Sequence, residues 1–141
     1  MLRLASALLA INIAAAVPAF AADTPSPAGA KVYFIGLKNG DKVGQSVVVH
    51  FGLSGMGIAP AGVDVPATGH HHLVVDADTP PLNTYLPTDN PTHVMHFGKG
   101  QTEVELKLAP GKHTLQLVFA DMDHKPHTPA VVSEKITVTV K

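Results

Sequence analysis

The chain has 141 residues, a formal net charge of −1, nine His, two Tyr, no Trp and no Cys. That length suits one domain, and its lysines stand singly, so no basic run offers itself to nucleic acid. Without cysteine there can be no disulfide, thiolate-bound zinc, iron–sulfur cluster or blue-copper site, and the fold must rest on its apolar core.

The start of the chain reads as an export signal. Arg3 follows Met1-Leu2, residues 4–17 are apolar and uncharged, and Ala19-Phe20-Ala21 fits the small-x-small cleavage rule. The expected organisation is a cleavable signal peptide over 1–21, a disordered Pro-rich leader over 22–30 and one domain over 31–141. The mature protein is expected in the periplasm. The apolar run falls short of the roughly 20 residues that a membrane span needs, so no span is expected.

Val32-Tyr33-Phe34-Ile35-Gly36-Leu37 has the β-branched and aromatic content of a strand, and Asn39-Gly40 supplies a turn. Over 46–53, Val47, Val49, Phe51 and Leu53 alternate with Val48, His50 and Gly52, the period of a half-buried strand. Residues 54–69, rich in Gly, Pro and Ala, form a long connection of the kind that often carries function.

That connection leads into a strand over 70–77 that opens with His70-His71-His72. Successive strand side chains point to opposite faces, so His70, His72, Val74 and Asp76 share one face, and His71, Leu73 and Val75 the other. With Leu73 and Val75 in the core, His70 and His72 stand outside, roughly 7 Å apart along the backbone, where two rings can converge on one ion.

Prolines at 80, 81, 87 and 91 make 78–91 a second loop. A short strand over 93–97 ends in the Gly98-Lys99-Gly100-Gln101 turn, which lacks the spacing and the following helix of a phosphate loop. Val104, Leu106 and Leu108 alternate with charged residues. After the Pro110-Gly111 turn, His113, Leu115, Leu117 and Phe119 line one strand face. Residues 121–129 read as a polar loop carrying Met122, His124 and His127, and a last strand over 133–140 turns Ile136, Val138 and Val140 inward.

About seven strands and no helical period predict an all-β fold, an immunoglobulin-like antiparallel β-sandwich. Val49, Phe51, Leu73, Val75, Leu106, Leu115, Leu117 and Val138 are expected to share its core.

Imidazole is the commonest protein ligand for copper, zinc and nickel. The primary candidate ligands are His70, His72 and His124, with His96, His113 or Asp121 as the fourth, a sulfur-free set suited to Cu(II) or Zn(II). Met95 beside Phe97 reads as a core residue, His113 equally well as a corner residue bonding a backbone carbonyl, and His50 and His93 as surface residues. No Gly-x-Ser-x-Gly elbow or His-Glu-x-x-His helix is present.

The leading expectation is a periplasmic metal-binding protein for buffering or delivery, with copper favoured over zinc or nickel and a metal donor or acceptor protein as partner. Its rival is an immunoglobulin-like envelope module that binds protein or glycan without metal. A third reading is an enzyme using His70 or His72 as general base with Asp76.

Gly69-His70-His71-His72-Leu73, Phe97-Gly98-Lys99-Gly100-Gln101-Thr102, Pro110-Gly111-Lys112-His113-Thr114-Leu115 and Asp121 with His124 occur in an order that resembles the bacterial family named domain of unknown function 4399, over roughly residues 50–140. The resemblance implies an exported bacterial β-domain and, as the family name says, no assigned activity.

Overall fold

Alternating apolar residues can be buried on one side only if strands pair and stack, and the computed structural model, which describes residues 23–88 and 93–141, does this with two sheets. The expected signal peptide lies outside the described residues.

In chain order the strands are β1 (Lys31–Ile35), β2 (Lys42–Val43), β3 (Ser46–Ser54), β4 (Gly57–Ile58), β5 (Thr68–Val75), β6 (Val94–His96), β7 (Glu103–Lys107), β8 (Gly111–Ala120), β9 (Pro126–Val132) and β10 (Ile136–Val140). One sheet has the order β1-β3-β7. The other runs β2-β10-β8-β5-β4, with β6 also on β5 and β9 also on β8. No strand is replaced by a helix among the described residues, and no helix there is long and apolar enough to cross a membrane.

The count of about seven is exceeded by the two-residue pieces β2 and β4 and by β9. The last lies where the sequence suggested only a polar loop, because Pro126 and Pro129 argue against a strand. Pro is nonetheless tolerated at a strand's first residue and on a sheet edge, and Pro126 opens β9. Two short pairings, β2 with β10 and β4 with β5, are parallel, so the sandwich is not purely antiparallel.

Val49, Phe51, Leu73, Val75, Leu106, Leu115, Leu117 and Val138 all fall in the core between the sheets, as the period-2 pattern requires. Leu117 is fully buried. Leu117→Ala is expected to cost about 2–5 kcal/mol, seen as a lower urea midpoint with an unchanged slope. An unchanged midpoint would place Leu117 at the surface.

The β5–β8 pair is buried on its second face as well. Val74, Leu86, Val94, Val118 and Ala120 form a smaller cluster there, with Leu82 and Ala77 packed against it. The segment around Leu86 closes this face by donating its backbone N–H to the carbonyl of His124, 2.8 Å away. His70 and His72 therefore lie on the face away from the main core, as strand alternation requires, but not in solvent: both are 0 % exposed.

Residues 24–26 run beside β9 at Thr128. Ser26 donates its N–H to Thr128 O (3.1 Å), Thr128 donates back to Thr24 O (2.9 Å), and Lys125 Nζ lies 2.6 Å from Asp23 Oδ1.

Candidate metal centre

Three elements deliver imidazoles to one place on that second face. β5 brings His70 and His72. Just before them, a Cβ at Gly69 would stand 2.1 Å from the carbonyl oxygen of Ala120, so only glycine lets β5 approach β8 this closely at that point. β6 brings His96, which pairs directly with His72 across the ladder. The β8–β9 hairpin brings His124.

The hairpin is built around Asp121. Its Oδ1 accepts the N–H groups of Asp123 and Lys125, both at 2.9 Å, its Oδ2 accepts the Thr24 hydroxyl at 2.6 Å, and its carbonyl accepts His124 N–H at 3.0 Å. This turn ends on a left-handed residue, normally glycine, and that residue is His124, with φ of 70°. The left-handed backbone there is strained, and the ring lies over β5, its centroid 5.0 Å from that of His70.

His70 Nε2 and His96 Nε2 are 3.2 Å apart, and His96 Nε2 and His124 Nε2 are 3.1 Å apart. One ligand atom from each of these three residues lies within 4.8 Å of the other two. The His72 ring centroid is 4.9 Å from that of His70, 5.2 Å from His96 and 5.9 Å from His124. A tetrahedral ion with metal–nitrogen bonds of about 2.0–2.1 Å holds its ligands about 3.3–3.4 Å apart, close to the two shorter spacings. His70 and His72 are enclosed, while His96 and His124 are half-buried and leave one side accessible.

Hydrogen bonding alone satisfies this cluster poorly. An imidazole Nε2 carries either one proton or one lone pair, so His96 Nε2 cannot serve two neighbouring nitrogens equally well. His70 Nδ1 and both nitrogens of His72 are buried with no partner at all. Each such group costs about 1–3 kcal/mol.

Burial and mutual repulsion hold His70, His72 and His96 toward the neutral form. Burial, then the neighbouring His124 and His96, push His70 down to about 4, against a smaller opposing pull from Asp121. Burial, followed by His70, His96 and His124, takes His72 down to about 2. His96 is lowered by burial and by His124. Neutral imidazoles present lone pairs, which is the form a metal needs.

Gly98 also belongs to the site. A Cβ there would lie 2.4 Å from His96 Cε1 and Nε2, so the bare glycine gives the ring its room. The turn was legible in the sequence, but this clearance was not; its signal is a glycine two residues after a strand histidine.

The remaining candidates lie elsewhere. His113 donates from Nδ1 to Asp76 Oδ2 (2.6 Å) and from Nε2 to Ala109 O (2.8 Å); the Asp76 bond first, and then the corner bond to Ala109, raise its pKa. It stands five residues before Val118, the β8 partner of His72, about 17 Å from the nearest cluster histidine along the strand. Asp121 positions the hairpin and is outside the imidazole group. Asp76 is engaged by His113 and by Thr114 N–H (2.8 Å), so the expected pairing with His70 or His72 is not made. Met95 packs on the main core. His50 and His93 are exposed.

His71 and His127 lie outside the cluster: His71 sits between Phe51 and Phe119, and His127 stacks on Phe119.

A family model described as "Domain of unknown function (DUF4399)" matches residues 49–141, which include all four clustered histidines. No curated protein and no solved structure matches the chain.

Proposed function

From a chain that belongs to this family of unassigned activity, we propose an exported, periplasmic metal-binding protein that holds one copper ion on His70, His96 and His124, with His72 as the adjoining fourth ligand, for buffering or delivery. The observation behind this reading is the convergence of three Nε2 atoms, two pairs of them at 3.1–3.2 Å, in a pocket whose hydrogen bonding is left incomplete. A cation takes one lone pair from each ring and removes the competition for His96 Nε2, while the N–H of His70 Nδ1 stays without a partner.

Copper is favoured over zinc and nickel because an all-nitrogen set accepts all three and, among the divalent ions, copper stands highest in the affinity order. His96 and His124 face the accessible side, so a donor or acceptor protein can add a ligand there and take the ion by exchange. Export rests on the basic, apolar and small-x-small pattern of residues 1–21.

The test is metal uptake by the protein exported from its own leader. One equivalent of copper is expected in the wild type and none in the His70→Ala, His72→Ala double variant at pH 7, with the same β-rich circular dichroism in both. Equal uptake by the two proteins would move the ion elsewhere. No uptake by either would favour the envelope interaction module instead.

A further inference from the structure

We propose that the cargo of this pocket is monovalent copper, an inference that rests on the metal-binding reading above and adds the charge of the ion. All four clustered side chains are imidazoles, which leave a bound ion its full charge. The candidate group contains no carboxylate. Asp121 has both oxygens committed to Thr24 and to the backbone of its own turn, so it does not ligate, and its single charge, which reaches His70, offsets one positive charge but not two. The chain has no cysteine to supply a thiolate.

Behind the rings the wall is apolar: Val74, Leu86, Val94, Val118 and Ala120 are all buried on this face. The cost of burying an uncompensated charge grows with its square, so a divalent ion loses about four times the hydration energy of a monovalent one of the same size. Neutral donors return none of that through charge pairing. Zinc on three histidines solves the problem by holding a water that ionises near neutral pH. Among the described residues, His96 and His124 are the half-buried ones of the four, and hydroxide would enter on their side. A monovalent, closed-shell ion needs no such anion and tolerates unequal ligand spacing.

The experiment is competition at pH 7 between the purified protein and chromophoric chelators. Cu(I) is measured without oxygen, Cu(II) and Zn(II) in parallel, and proton release is followed in each case. Cu(I) is expected to bind at least about 1,000-fold more tightly than Zn(II) or Cu(II), and to release no proton, whereas each divalent ion releases about one as its bound water ionises.

Equal or tighter binding of either divalent ion would overturn the choice of Cu(I) and leave the metal centre standing. Failure to bind any of the three ions would overturn the centre itself. A second arm places one carboxylate at a half-buried position. His96→Glu is expected to raise the affinity for Zn(II) relative to Cu(I) by at least about 100-fold, and an unchanged ratio would overturn the charge argument.

Discussion

Metal-free protein is expected to lose about 5 kcal/mol of stability between pH 7 and pH 5 and to unfold cooperatively in mild acid. Burial lowers His70 and His71 to about 4 and His72 to about 2, against 6.5 for an ordinary histidine. Between those values the unfolded chain holds protons that the folded chain refuses. Stability is therefore complete above pH 6.5 and falls as the pH drops toward the folded values. At pH 5 unfolding takes up close to three protons on these residues, a slope of about 4 kcal/mol per pH unit, somewhat less if water at the accessible side screens His70.

That loss is a large part of the roughly 5–15 kcal/mol of a typical domain. Urea titrations at half-unit pH intervals measure the slope directly. His71→Phe separates the contributions: its ring lies between Phe51 and Phe119 with no hydrogen bond stronger than a weak approach to the Gln101 backbone, so an apolar ring of similar shape should fit and remove about 1.4 kcal/mol per pH unit from the slope. A stability flat from pH 7 to 5 would show that these histidines are not buried. Saturation with copper should move the acid transition lower, because the ion holds its ligands deprotonated.

The strands whose burial is one-sided were legible in the sequence. Val47, Val49, Phe51 and Leu53 alternate with Val48, His50 and Gly52 because β3 faces the core on one side only, and Ile136, Val138 and Val140 repeat the pattern on β10. β5 resists this reading since both its faces are covered. An unbroken buried run from Gly69 to Val75 has no period to detect, and counting histidine as polar turns its second face toward solvent. What covers that face is remote in sequence: Leu82 and Leu86 in one loop and the 121–125 hairpin beyond β8.

Proximity in space, for the same reason, had to be guessed. His70, His72, His96 and His124 meet because β5, β6 and β8 are neighbours in one sheet. His113 shares β8 with the hairpin but lies at its other end, a separation that strand length alone decides. Asp121 sits near the cluster, yet a carboxylate followed by backbone donors two and four residues on is already spent on its own turn. The left-handed conformation of His124 has no sequence signature, because Asp-Met-Asp-His-Lys lacks the glycine that marks such a hairpin.

His124→Gly is expected to weaken metal binding by more than about 100-fold, above the 10–100-fold lost when only a supporting group around a ligand is removed, while the metal-free fold keeps its stability to within about 1 kcal/mol. Two effects oppose each other in the fold. Glycine relieves a left-handed φ of 70° that costs a side-chain-bearing residue about 1–3 kcal/mol, but it adds about 0.5–1 kcal/mol of chain entropy to be lost on folding. The ring's contacts with His70 and His96 are lost as well, which consumes the remaining gain.

The turn itself does not need the imidazole, since Asp121 holds it through the backbone of residues 123, 124 and 125. Most ligand deletions confound lost coordination with a damaged fold; this one replaces the ligand by the residue its backbone prefers. Free imidazole can then occupy the vacated space, and millimolar imidazole should restore much of the copper affinity to His124→Gly while weakening that of the wild type by competition. Retained affinity in the glycine variant without added imidazole would remove His124 from the ligand set and leave the strained backbone of the hairpin without a function.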